Sequence, residues 1–217
     1  MLSLALRCEA AMTDAYAIAS LDALERLYDK PSERALLKQL DHLDGPCRAF
    51  IAASPFVLLA TFGRKGADCS PRGDQPGFVA VEGEKTLLLP DRRGNNRIDS
   101  LRNIVENPTV ALLFLVPGHE QTLRINGRGT LTADPALLER FAVAGKLPRT
   151  VLRVAVDEAF VQCPRALLRA ELWNPAKFAR DGEVPSMGTL LASASKGKVD
   201  AARYDAEDAP KTRQVLY

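Results

Sequence analysis

The amino-acid sequence predicts a mainly β protein with flanking helices, arranged as an antiparallel barrel rather than an alternating parallel sheet. Three observations carry this. Five or six apolar runs of strand length follow one another at short spacing between Pro55 and Pro164. Several of the connections, "GRKGAD", "EGEK" and "GHE", are turns too short for the crossover that parallel strands need. Helical periodicity is concentrated in the first fifty residues and in a few short stretches between strands.

The elements are read in chain order. Residues 14–28 and 32–53 look helical: Leu21, Leu24, Leu27 and Tyr28 recur at helical spacing, and Ser32 is placed to cap "PSERALLKQLDHLD". Gly45-Pro46 is expected to break this region before a shorter helix, "CRAFIAAS". "FVLLATF" is a continuous apolar strand, and "CSPRGDQPGFVAV" is a second one interrupted by Pro and Gly. "TLLLP" is a third. A basic loop then leads into the helix "RIDSLRNIVENP". "TVALLFLVP" and "QTLRINGRGTLTA" follow as strands, "DPALLERFAVAG" as a helix capped by Asp134, and "TVLRVAVDEAFVQCP" as a long strand. "RALLRAELW" closes the body as a helix or turn. The expected organisation is an N-terminal helical extension over 1–49, a barrel domain over 50–173 and a polar C-terminal extension over 174–217. That extension is expected to dock on the barrel or on a partner subunit.

Composition narrows the function. The chain has 217 residues, 47% hydrophobic and 26% charged, with a formal net charge of +2. Bulk attraction to nucleic acid is not indicated, so recognition of an anion has to be local. No apolar run approaches the roughly 20 residues of a membrane span. The opening "MLSLALRCEAAM" lacks a basic n-region, and the reading is of a cytoplasmic protein. The cysteines Cys8, Cys47, Cys69 and Cys163 are scattered and read as free thiols, with Cys69 and Cys163 expected to be small buried hydrophobes. His42 and His119 are the only histidines and have no partner at ligand spacing, so no metal site and no Ser-His-Asp triad is expected. His119, in "PGHEQ", reads as a solvent-exposed loop residue.

Two stretches can carry chemistry. In "LLLPDRRGNNRIDSLRNI", Arg92, Arg93 and Arg97 crowd together at a helix N-terminus beside Asn95 and Asn96. Such a terminus offers unpaired N–H groups and a positive dipole end, and arginine adds bidentate contacts to phosphate oxygens. Gly94 is expected to let the backbone approach the anion. A phosphate ester and a plain basic turn explain the stretch about equally well. No GxxxxGK[ST] is present, so nucleotide hydrolysis is not indicated. In "DCSPRGD", Pro71 and Gly73 demand an edge or bulged strand, and Ser70 and Arg72 share one face of it. Taken alone, this stretch reads first as an irregular edge strand with a salt-bridged arginine.

In order along the chain, "FVLLATFGRKGADCSPRGD", "TLLLPDRRGNNRIDSLRNIVENPTVALLFLVPG" and "QTLRINGRGTL" resemble the pyridoxamine 5'-phosphate oxidase-like flavoproteins. This is the FMN-binding split-barrel family, and the resemblance spans roughly residues 50–165. "SLRNIVENPTVALLF" is its most specific part, while "SPRGD" and "DRRGNNR" resemble an uncharacterised subgroup. The resemblance implies a six-stranded antiparallel split barrel, a homodimer, and one FMN in each of two interfacial clefts. It places Asn96 and Arg97 where a basic pair holds the FMN phosphate, and Pro90 and Asp91 at the strand end lining the flavin. Ser70 and Arg72 fall where the second strand passes the ribityl chain and ring. Gln121 and Thr122 fall where a polar residue reaches the cofactor, from the partner subunit. Trp173 corresponds to an aromatic near the ring, although a core or interface anchor explains it more simply. The longer basic signature of the oxidase itself and its C-terminal arginine pattern are missing. The resemblance therefore implies an FMN-dependent oxidoreductase of unknown substrate, or a non-catalytic flavin-binding or sensing module, with no catalytic side chain assigned.

Overall fold

A computed structural model describes residues 14, 16–212 and 215–217, and the chain divides into two compact units, residues 1–37 and 38–217. Cys8 lies outside the described residues. In the first unit, α1 (Leu21–Glu25) and α2 (Glu33–Leu36) are each about one turn long, capped by the hydroxyls of Ser20 and Ser32. The expected helix over 14–28 is thus cut to its centre. Neither short helix buries a residue, and a helix this short gains little without tertiary packing.

The second unit is built on one antiparallel sheet. Its strands are β1 (Gln39–Leu40), β2 (Phe56–Gly63), β3 (Gly66–Gly73), β4 (Ala80–Glu82), β5 (Thr86–Pro90), β6 (Thr109–Leu115), β7 (Thr122–Thr132) and β8 (Val151–Gln162). The order is β3-β2-β6-β7-β8-β5-β4, with β1 pairing on β8 beyond the stretch that β5 occupies. Every apolar run named above forms a strand. The sheet has eight strands rather than six, because "CSPRGDQPGFVAV" splits into β3 and β4 and the two-residue β1 adds a pairing. The Asp74–Val79 stretch between them contains Pro76 and Gly77, the latter at φ 86°.

Residues 37–44 do not continue a helix, and Gly45-Pro46 starts one instead of breaking it. Helix α3 (Gly45–Ala53) takes Asp44 as its N-cap, with the Cys47 N–H donating to the Asp44 carboxylate at 2.8 Å, and accepts proline in its first turn. Proline is tolerated there because its missing N–H has no intrahelical partner at that position.

Alternation sets the core. Val57 and Leu59 of β2 and Val110, Leu112 and Phe114 of β6 point to one side with Leu123 and Ile125 of β7 and Leu152, Val154 and Val156 of β8. Ile51 of α3 and Ile104 of α4 (Asp99–Glu106) close this cluster. On the opposite face, Leu88 and Val151 pack with Phe141, Leu137 and Leu138 beside α5 (Pro135–Arg140), so β5 is covered on both sides. Helix α4 seats on β2 at a glycine: a Cβ on Gly63 would lie 2.0 Å from Asn103 Oδ1. Asn103 Nδ2 donates to Thr61 Oγ1 at 3.0 Å.

Cys47 is buried, but Cys69 and Cys163 are exposed, contrary to expectation. Cys69 lies on the outward face of edge strand β3, where no layer covers it. After β8 come α6 (Arg165–Ala170), a 3₁₀ turn at Pro175–Lys177, α7 (Met187–Ala194) and α8 (Ala201–Arg203), then a π-helical turn and α9 (Ala209–Thr212). Asp205 ties this tail together, accepting from the Gly188 N–H at 2.9 Å and from the Ser186 hydroxyl. Among the described residues no helix is long and apolar enough to cross a membrane.

Candidate functional site

Strand alternation places Asp68, Ser70 and Arg72 on one face of β3, and all three line a cleft of about 960 Å³. Opposite them runs the loop from Asp91 to the first turn of α4. The third wall is the Lys146–Thr150 segment that leads into β8. Ser70 and the "DRRGNNR" loop, distant in sequence, therefore meet at one site.

The start of α4 is joined to β3 by a chain of hydroxyls. Ser100, 3% exposed, donates to Asp68 Oδ2 at 2.8 Å, and its oxygen lies 2.9 Å from that of Ser70. The helix has no side-chain cap, because its N-cap residue is Ile98. Its first N–H groups are therefore left for a ligand or water. Two non-glycine residues in this loop take left-handed backbone angles, Asn96 at φ 59° and Ile98 at φ 52°. Gly94, expected to supply that freedom, has no positive φ. Asparagine adopts such angles readily, whereas a β-branched residue there is strained.

The loop's charged residues divide into two groups. Arg92 is committed to the protein: Nε donates to Asp74 Oδ2 at 2.6 Å and Nη1 to the Phe141 carbonyl at 2.6 Å. It borders the cleft with two of its nitrogens already used by the protein. Arg93 is exposed and has no ion-pair partner among the described residues. Arg97 is held only by an exposed pair with Asp99 at 2.8 Å, an interaction worth about 0–1 kcal/mol that a phosphate can displace. The Asn95 side-chain Oδ1 accepts from the Arg97 N–H at 3.1 Å, shaping the turn.

Pro90 is buried as the last residue of β5, and the following Asp91 N–H donates to the Thr150 carbonyl at 2.9 Å. Asp91 lies 3.6 Å from Arg72 Nη1, with both side chains largely buried. Burial raises the Asp91 carboxyl above its ordinary range, and the charges of Arg72 and Arg149 only partly oppose this. Asp91 has no hydrogen bond to its carboxylate among the described residues, so its oxygens are open to a donor.

Gln121 and Thr122 do not line this cleft. Thr122, 4% exposed, pairs with Leu115 and Gln162 at the opposite end of the sheet from the Pro90–Val151 pair. Trp173 is also elsewhere, its Nε1 donating to the His119 carbonyl at 2.8 Å. His119 itself is exposed, as expected, and packs edge-on against Phe50 with ring centroids 5.6 Å apart.

Sequence reasoning missed several wall residues: Asp68, Ser100, Lys146, Arg149, Thr150 and Tyr217. The "KLPRT" run before β8 carried a readable basic signal; Tyr217 carried none. Thr150 Oγ1 is buried without a hydrogen-bond partner among the described residues, and such an orphan at a cleft wall marks a place for a ligand's polar group. The site thus combines exposed cations, neutral amide donors, uncapped helix N–H groups, an open carboxylate and an orphan hydroxyl. That donor set fits a phosphate ester bearing a polyhydroxyl chain.

Among solved structures, the chain is similar to HupZ of Group A Streptococcus (H111A variant; 19% identity, 55% of this chain and 99% of that one, TM-score 0.45). It is also similar to general stress protein 26 of Bacillus anthracis (15% identity, 52% and 88%, TM-score 0.42). A third similar structure is a Clostridium acetobutylicum protein of the pyridoxinephosphate oxidase family, related to general stress protein 26 (16% identity, 52% and 83%, TM-score 0.38). No curated protein matches. The family model described as pyridoxamine 5'-phosphate oxidase matches residues 43–163. This span takes in β2 to β8 and the Ser70, Arg72 and Asp91–Ser100 walls of the cleft, and on it the chain belongs to the pyridoxamine 5'-phosphate oxidase family.

Proposed function

We propose that the cleft holds FMN and that the protein is a flavin-dependent oxidoreductase acting on a small organic substrate. The observation that carries the reading is the convergence of Ser70 and Arg72 with the Asp91–Ser100 loop on one cleft, in a chain of a family of FMN-binding proteins. Arg93 and Arg97, with the amides of Asn95 and Asn96 and the open helix N-terminus, would hold the phosphate. Ser70, Thr150 and Asp91 are polar groups suited to the ribityl hydroxyls. Arg72 would supply a fixed positive charge to offset negative charge on a reduced ring. Pro90, buried at the end of β5, does not line the cleft and would serve it by fixing the position of Asp91. FMN, when bound, supplies hydride or electron transfer at its isoalloxazine ring. The chain's own part is to bind, orient and shield it.

A homodimer is part of this reading. Several outward residues of β2 and β6, among them Leu58 and its cross-strand partner Leu113, are apolar and only half-buried. A second copy is the occupant that suits them, and it would bring Gln121 and Thr122 of the partner subunit toward the cofactor. Dimerisation would also complete the split barrel.

One feature favours a second reading, a flavin-binding module without turnover: among the described residues no histidine or cysteine lines the cleft. A single series separates the two. FMN added to purified protein should bind and shift the flavin absorption bands, and riboflavin should bind at least tenfold more weakly for want of the phosphate contacts, roughly 1.4 kcal/mol. Equal affinity for both removes the phosphate assignment. Stopped-flow reduction by NADH, NADPH and candidate organic donors then decides: a flavin that only dithionite reduces supports the binding module.

A further inference from the structure

Trp173 is the aromatic that the sequence offers for a ligand ring, yet it is bonded to the turn at His119, outside the cleft. The aromatic that does line the cleft is Tyr217, which lies 44 residues beyond Trp173 by subtraction of their numbers and outside the family match.

Tyr217 is fixed at three points. Its hydroxyl donates to Asp74 Oδ1. That carboxylate is only 4% exposed and also receives Arg92 Nε at 2.6 Å. The Arg92 guanidinium carbon lies 5.9 Å from the centre of the Tyr217 ring, within the range of a cation–π contact. Lys146 Nζ donates to the Tyr217 carbonyl at 2.7 Å. A buried carboxylate is a costly group to place in a fold, and here one carboxylate organises both the arginine of the loop and the phenol of the tail. The hydrogen bond to Asp74 raises the Tyr217 hydroxyl above its ordinary value.

With Tyr217 in place the cleft still measures about 960 Å³, at the top of the range for small-molecule sites, roughly 300–1,000 Å³. The residue therefore forms a wall and is not a plug. We infer that Tyr217 is the aromatic wall of this ligand site: it contacts the planar ring of the bound flavin, and the C-terminal extension is thereby part of the binding site. The inference rests on the FMN reading above.

The test uses the full chain with FMN, reading affinity by titration and ring contact by the fluorescence of the bound flavin, which an adjacent tyrosine quenches by electron transfer. Tyr217→Ala should weaken binding about three- to tenfold, the range of one aromatic contact, and brighten the bound flavin. Tyr217→Phe keeps the ring and should bind within about threefold of the unaltered chain. Trp173→Phe should change neither readout. A thermal melt of each variant confirms folding. The inference is overturned if Tyr217→Ala leaves affinity and brightness unchanged, if it binds FMN more tightly, or if Trp173→Phe brightens the flavin in its place. An unaltered chain that takes up no FMN overturns the cofactor reading and this inference together. Uptake with an indifferent Tyr217 overturns this inference alone.

Discussion

The guanidinium of Arg92 and the carboxylate of Asp74 form an ion pair at 2.6 Å whose side chains are only 17% and 4% exposed. The pair joins the loop after β5 to the turn after β3, the two segments that must stay together for the cleft to exist. Its neighbour Arg93 is exposed and has no such partner among the described residues. Two adjacent arginines therefore have different work.

Arg92→Ala should destabilise the fold, by about 3 kcal/mol, because it leaves a buried carboxylate unpaired. Removing both charges with Asp74→Asn and Arg92→Leu should cost less than Arg92→Ala alone, since no uncompensated charge remains. Arg93→Ala should leave stability within about 0.5 kcal/mol, as surface substitutions do, while weakening FMN. Urea unfolding and flavin titration on the three proteins check both halves. A stable Arg92→Ala with weakened binding would assign that residue to the phosphate site instead.

Asp91 gives a pH-dependent prediction. In the unfolded chain its carboxyl titrates near 3.9, whereas burial raises it in the folded protein. Folding thus favours the protonated form. The stability this group contributes is complete below the unfolded value and is lost as pH rises through the folded value. Asp91→Asn stays neutral throughout. It should melt with the unaltered protein in acid and above it at pH 7, while binding flavin less well. Melting curves at pH 3 and pH 7 check this. If the variant is the less stable at pH 7, the Arg72 contact at 3.6 Å outweighs the desolvation of the carboxylate.

What the sequence disclosed follows from how far each signal reaches. Strand alternation and turn residues are local, and every apolar run from "FVLLATF" to "TVLRVAVDEAF" became a strand. The meeting of Ser70 and Arg72 with the "DRRGNNR" loop followed from the family resemblance. The ion pair of Arg92 was not legible because its partner Asp74 lies 18 positions away, and no local pattern announces such a pairing. Gly45-Pro46 was misread because one dipeptide both ends helices and begins them. The deciding residue, Asp44, is a cap whose role depends on which side the helix lies. Tyr217 was invisible because a single aromatic in a polar tail has no period at all.

The last prediction concerns strain. Ile98 is held at φ 52°, a region that costs a β-branched residue roughly 1–2 kcal/mol. It also occupies the N-cap of α4 without a side chain able to cap it. Ile98→Asn addresses both, since asparagine tolerates the left-handed region and can accept from the first turn's N–H groups. The substitution should raise unfolding stability by about 1 kcal/mol or more, read from urea midpoints at unchanged m-value. The natural isoleucine then has to be explained by the cleft it lines. An asparagine side chain that caps the helix would occupy the same N–H groups that are open to a phosphate, so the stabilised variant should bind FMN more weakly than the natural chain. A variant both more stable and equally tight would mean that the helix N-terminus takes no part in binding, and the anion would then be held by Arg93 and Arg97 alone.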